Sequence, residues 1–189
     1  RYNMPSSGMD YNLLMVYSTE APTSLELTAN KEYYNNIQYN LVGVLPGKSL
    51  PEEIILYSAH YDHLGVIKSK GDSIMNGAND NASGTTALLM LAEYFAKKND
   101  NERTLIFCAF SGEEIGLIGS YEFSNYIKPE KIIAGINLEM LGIPEYGKKK
   151  VFITGQYESS LPQILSKQLR AAGVRTVREP DPEKKLFER

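Results

Sequence analysis

The amino-acid sequence predicts an α/β domain, and three observations carry that prediction. Short apolar runs bounded by polar loops recur at residues 54–59, 104–110 and 132–138. Segments of helical periodicity lie between them, and acidic residues stand immediately after each run. Strands covered on both faces read as continuous apolar runs, and their alternation with helices calls for a sheet with helices on both sides.

In chain order, residues 1–22 read as an irregular N-terminal segment with Pro5, Ser6, Ser7 and Gly8 close together, and residues 23–189 as one domain. Residues 25–29 alternate apolar with polar, and residues 38–45 regain apolar character before the stop at Pro46-Gly47. Together they predict a pair of antiparallel edge strands across the turn-like Tyr34-Asn35-Asn36. The run at 54–59, bounded by Pro51, is the first buried strand. Residues 83–98 predict a helix, because Ala87, Leu88, Leu91, Ala92 and Phe95 fall on one stripe and Lys97-Lys98 complement the dipole at its end. The strand at 104–110 comes next, then a helix over 114–127 that stops before Pro129, then the strand at 132–138. A last helix over 161–172 has Pro162 in its first turn and Gly173 beyond its end. Residues 151–154 and 174–177 add further strands.

The 189 residues, 42% of them apolar, suit one domain with a real core. Lys and Arg number 20 against 23 Asp and Glu, a formal net charge of -3. That balance offers no basic footprint for nucleic acid or an anionic membrane. No apolar stretch is long enough to span a bilayer, and no basic-then-apolar leader stands at the start. The single Cys108 lies inside an apolar run, which predicts a buried strand thiol and no intrachain disulfide.

In open α/β sheets ligands gather beyond the carboxyl ends of the strands. There the sequence places His60-Tyr61-Asp62-His63, Ser111-Gly112-Glu113-Glu114 and Asn137-Leu138-Glu139, with Asp80 ahead of the first long helix. Singly, each has an ordinary explanation: Asp80, Asn81 or Ser83 as helix caps, Ser111 and Glu114 as a capping box, Asn81-Ala82-Ser83 as a glycosylation acceptor in a surface loop. Jointly, carboxylates converging at one sheet edge repel unless cations neutralise them. One His and three carboxylates suit zinc, and three carboxylates plus a hydroxide balance two divalent ions. Strand parity points His60 and Asp62 the same way, so that Asp62 can accept from the ring nitrogen that does not bind metal. His63, of opposite parity, reads as a loop residue at the pocket rim. Of the neighbours Glu113 and Glu114, one can ligate while the other remains a general base.

The motifs HYDHLG, GANDNASG, SGEEIGLIGS and NLEM, in this order, resemble the zinc aminopeptidases of the bacterial leucyl aminopeptidase type, most closely over residues 40–142. The resemblance implies a three-layer α/β/α sandwich around a mixed, mostly parallel sheet. It implies two zinc ions, with His60 and Glu139 on one, Glu114 on the other, and Asp80 bridging them through a loop whose Asp80-Asn81 peptide bond is often cis. It makes Glu113 the general base and Asp62 the orienter of His60. It also implies peptide substrates with a free N-terminus and an extracellular or periplasmic address.

Two departures accompany it. Glu139 stands where many relatives have Asp, and the family's last ligand is a His downstream of the NLEM-type motif, whereas residues 140–189 contain none. The expectation is a chain cut short before that ligand, with the sheet incomplete at its C-terminal side. Two other functions share the scaffold: a single-zinc glutaminyl-peptide cyclase and a peptidase-like binding domain without catalysis. Retention of His60, Asp80 and Glu114 together favours two-metal hydrolysis over the cyclase, and retention of Glu113 beside the expected ligands favours an enzyme over the binding domain. The sequence leaves the preferred terminal residue and the oligomeric state open.

Overall fold

The computed structural model describes Ser24 and residues 37–68, 71–144 and 147–177. The chain divides into two units, Arg1–Ile37 and Gln38–Arg189, and every strand and helix described belongs to the second. The expected irregular segment at 1–22 and the strand at 25–29 lie outside the described residues.

Four strands form the central sheet in the order β1 (Leu41–Leu45), β5 (Arg103–Phe110), β2 (Leu50–His60), β6 (Ile132–Asn137). Between β2 and β5 the chain makes the short hairpin of β3 (Gly65–Val66) and β4 (Ile74–Met75), an irregular turn over Ala78–Ser83, and helix α1 (Gly84–Lys98). Helix α2 (Ile118–Ser124) links β5 to β6, and β7 (Lys150–Phe152), α3 (Leu161–Ala171) and β8 (Arg175–Val177) complete the order. β1 runs antiparallel to β5, while β5, β2 and β6 are mutually parallel. The sheet is therefore mixed and mostly parallel, as expected.

Register decides where function can sit. His60 pairs with Phe110, and Ser58 with Asn137. The loops after β2, β5 and β6 consequently leave the sheet at one edge.

Side-chain parity assigns the two faces. Ala59, Leu105, Phe107 and Ala109 are buried with Leu88 of α1, and Ile55, Tyr57, Leu91 and Phe95 pack around them. The Tyr57 and Phe107 rings stack at 5.4 Å. Burying a Leu or Phe contributes roughly 2 kcal/mol, against about 0.5 kcal/mol for an exposed pair such as Lys97 with Glu93. The apolar stripe, not the surface charge, holds α1 on the sheet. Residues of the other parity, Leu56, Ser58, His60 and Phe110, face α2, where Phe110 meets Phe123 edge-on at 5.5 Å.

Two expectations are corrected. The second helix spans Ile118–Ser124 rather than 114–127, and it cannot start at Glu114 because Gly116 (φ 113°) and Leu117 (φ 60°) have positive φ values that no α-helix accommodates. And β7 and β8 pair with each other, in parallel, as a two-stranded sheet separate from the central one. Within the described residues, no helix is long and apolar enough to cross a membrane.

Cys108 is fully buried on β5, and that burial pushes its thiol up to about 12. We predict that a thiol-specific disulfide reagent at pH 8 labels Cys108 at least ~100-fold more slowly in the folded protein than in urea, measured by mass spectrometry over time.

Candidate metal centre

β2 ends at His60, whose side chain is 3% exposed. Its Nδ1 lies 3.1 Å from the Asp62 main-chain oxygen. A carbonyl only accepts, so in the neutral ring the proton sits on Nδ1 and the Nε2 lone pair is bare. That nitrogen faces Asp80 Oδ1 at 3.0 Å, without the alignment of a hydrogen bond, and both atoms are buried without a hydrogen-bond partner. Two acceptors held in contact away from water repel unless a cation lies between them.

The donors around this contact fall into two groups that share Asp80. His60, Asp80 and Glu139 form one, and His63, Asp80 and Glu114 the other, with the ligand atoms of each group within 4.8 Å of one another. An imidazole and two carboxylates apiece are the nitrogen and oxygen donors that zinc takes, so the residues fit the metal the sequence implies. All four expected ligands are brought together. The family resemblance leaves His63 unassigned, and parity makes it a rim residue. In the structure its Nδ1 contacts Glu114 Oε1 at 2.7 Å. Strand parity ends with β2 at His60 and says nothing about the loop beyond.

Asp62 also differs in detail from its expected role. Its main-chain oxygen, not its carboxylate, receives the His60 proton, and Oδ1 stands 3.7 Å from Nδ1. The carboxylate instead accepts the main-chain N–H groups of Glu113 (3.2 Å) and Glu114 (3.3 Å). The anticipated capping box does not form, since those donors are already satisfied by Asp62, while Ser111 bonds Asn40 and Gln38. One residue thus ties the β2 loop to the β5 loop. Among the described residues the Glu113 carboxylate has no side-chain partner, and Glu113 lines a cavity of about 460 Å³ that also touches His60 and Asn137.

The loop carrying Glu139 is clamped by residues that read in the sequence as caps or a glycosylation site. Asn81, 2% exposed, donates to Leu138 O (3.0 Å) and accepts from Gly84 N and Met140 N. Ser83 Oγ accepts from Leu141 N, and Asn79 Oδ1 from Gly142 N. Three consecutive main-chain donors after Glu139 are thus held by Asn79, Asn81 and Ser83. Asn137 Nδ2 donates to the Glu139 carboxylate at 3.2 Å. Asn81 does cap α1, one of the two ordinary explanations, but its burial rules out glycosylation. The density of Asn and Ser in GANDNASG is the signal for the clamp. Gly84 is needed at the same point, since a Cβ there would run into the Leu138 carbonyl. The Asp80–Asn81 peptide is cis, as the resemblance implies.

Known proteins share this fold. The family model described as peptidase family M28 matches residues 40–189. The chain belongs to peptidase family M28. This M28 chain is similar to aminopeptidase YwaD of Bacillus subtilis (strain 168), at 30% identity over 116 residues, which is 59% of the chain and 24% of that protein. Among solved structures it resembles BSAP, a zinc aminopeptidase from Bacillus subtilis, with TM-score 0.53 and 22% identity, covering 77% of this chain and 41% of that one. It resembles an Acidobacteriales bacterium glutaminyl cyclase at TM-score 0.51 and 17% identity, covering 75% of this chain and 57% of that one. The M28 chain thus matches about a quarter of the length of YwaD. A fold shared by an aminopeptidase and a cyclase leaves the chemistry to the side chains.

Replacing Asn81 by Ala leaves buried main-chain groups unpaired. Asn81→Ala is predicted to cost about 1–3 kcal/mol of stability and to weaken zinc binding roughly 10–100-fold, read from thermal melts with and without zinc and from titration calorimetry.

Proposed function

We propose that this M28 member is part of a zinc aminopeptidase of the leucyl aminopeptidase type, hydrolysing the peptide bond at the N-terminus of peptides with two zinc ions and Glu113 as general base. The observation that carries the reading is Asp80, whose carboxylate belongs to both donor groups. A carboxylate with a ligand set on either side is what a two-metal site requires.

Bound zinc would supply Lewis acidity toward the scissile carbonyl and the attacking water. The chain's own residues do the rest. His60 and Glu139 hold one side of Asp80, Glu114 the other, and Asn79, Asn81, Ser83 and Asn137 keep Glu139 in reach of it. Asp62 fixes the main chain of Glu113 and Glu114, so one carboxylate turns toward the donor group while its neighbour stays free. Glu113 takes the proton of the attacking water and returns it to the departing amine. The adjoining cavity, lined by Leu117, Phe123, Ile127 and Ile136, offers apolar surface beside that base. A single-zinc cyclase would have no use for a second donor group. A binding domain without catalysis would have no use for a carboxylate at position 113 that has no side-chain partner among the described residues.

The test is Glu113→Gln in the natural gene product. Zinc content should stay unchanged, while turnover of aminoacyl amide substrates should fall by ~10²–10⁴-fold, measured by metal analysis beside steady-state kinetics. Undiminished turnover would remove Glu113 from the reaction, and conversion of glutaminyl peptides to cyclised products would favour the cyclase.

A further inference from the structure

We propose that Asn40 is a positioning residue for the general base, its side-chain amide closing the neck of the loop that carries Glu113. The inference rests on the reading of Glu113 as the base and goes beyond it, because Asn40 belongs to neither donor group and lies 71 positions before Ser111, the residue it holds.

The register of the sheet brings the residue there. Leu41 at the start of β1 pairs with Ala109 near the end of β5, so Asn40, one residue earlier, stands beside the point where the chain leaves β5 for the loop. Its Oδ1 accepts the main-chain N–H of Ser111 at 3.2 Å, and its Nδ2 donates to the Gly119 carbonyl at 2.8 Å. Ser111 and Gly119 are also bonded to each other, Gly119 N donating to the Ser111 carbonyl at 2.9 Å. One amide therefore spans both sides of the neck. The fit is close: Ser111 is 4% exposed, and a Cβ on the buried Gly119 would fall 2.3 Å from Asn40 Oδ1. An amide suits the place, since Ser111 offers a donor and Gly119 an acceptor, and the amide presents a partner for each on separate atoms.

Beyond the neck the loop closes on itself. The Glu113 carbonyl accepts from Gly116 N and Leu117 N, and the Gly112 carbonyl from Ile118 N, each at 3.0 Å. Asp62 holds the tip through the N–H groups of Glu113 and Glu114. The Glu113 carboxylate has no side-chain partner among the described residues, so the main chain beneath it sets where it stands. That main chain is fixed at the tip by Asp62 and at the neck by Asn40. A base displaced by about 1 Å from its proton loses up to ~10²-fold in rate.

The test is a double-mutant cycle in the natural gene product, read on turnover of aminoacyl amides with zinc content measured beside it. Asn40→Ala alone should lower kcat about 10–100-fold, with KM and zinc content unchanged. In the Glu113→Gln background the same substitution should cost less than ~2-fold, because the group it positions is already gone. Equal losses in both backgrounds would mean that Asn40 serves the fold alone, and would overturn the proposal. So would an unchanged kcat in Asn40→Ala, or a loss of zinc that accounts for the fall. Should Asn40→Ala melt below the assay temperature, Asn40→Asp carries the same cycle, since it keeps the acceptor for Ser111 and loses the donor to Gly119. Undiminished turnover in Glu113→Gln, or none in the unsubstituted protein, would overturn the reading of the base itself, and this inference with it.

Discussion

The His60 Nε2 lone pair and the Asp80 Oδ1 lone pair are held face to face at 3.0 Å where water scarcely reaches. With the imidazole neutral and no cation present, that contact is unfavourable, and each neighbouring interaction keeps it in place. The Asp62 carbonyl fixes the tautomer that bares Nε2. Thr85 at the start of α1 donates to the His60 carbonyl at 2.8 Å, tying the end of β2 to the helix behind the Asp80 loop. Asn81 binds that loop to the end of β6. The stabilisation that offsets the cost comes from elsewhere in the fold, chiefly from the apolar layer between α1 and the sheet.

The arrangement divides the labour between backbone and side chains. Parallel pairing of β5, β2 and β6 brings three strand ends to one edge, which delivers acids and imidazoles to the same neighbourhood but does not orient them. Orientation comes from short polar side chains that accept main-chain N–H groups: Asp62 for the Glu113-Glu114 loop, and Asn79, Asn81 and Ser83 for the loop after Glu139. Relatives of the same fold with different chemistry are expected on these terms, since changing the loops leaves the sheet intact.

How much of this is legible in the sequence depends on which forces act locally. The buried strands and α1 are readable because continuous apolar runs and a 3.6-residue stripe report burial directly, and the structure buries or half-buries Ala87, Leu88, Leu91, Ala92 and Phe95 as that stripe requires. His60, Asp80, Glu114 and Glu139 are readable as a converging set because strand ends in such sheets are where ligands bind. The start of α2 is not, since Leu117 adopts a left-handed conformation that no propensity announces. The partners of Asn79, Asn81 and Ser83 are not either, because they lie far along the chain, 57 positions away for Asn81 with Leu138 and 63 for Asn79 with Gly142. The His63 contact with Glu114 escapes parity for a simpler reason. A period-two rule holds only to the last residue of the strand that justifies it, and His63 lies three residues beyond the end of β2.

Whether Asp80 stands between two ions is measured most directly by diffraction from crystals grown with zinc, collected on both sides of the zinc absorption edge. Two anomalous peaks should flank the Asp80 carboxylate, one beside His60 and Glu139 and the other beside Glu114. A single peak, or none in contact with Asp80, would contradict the two-metal centre.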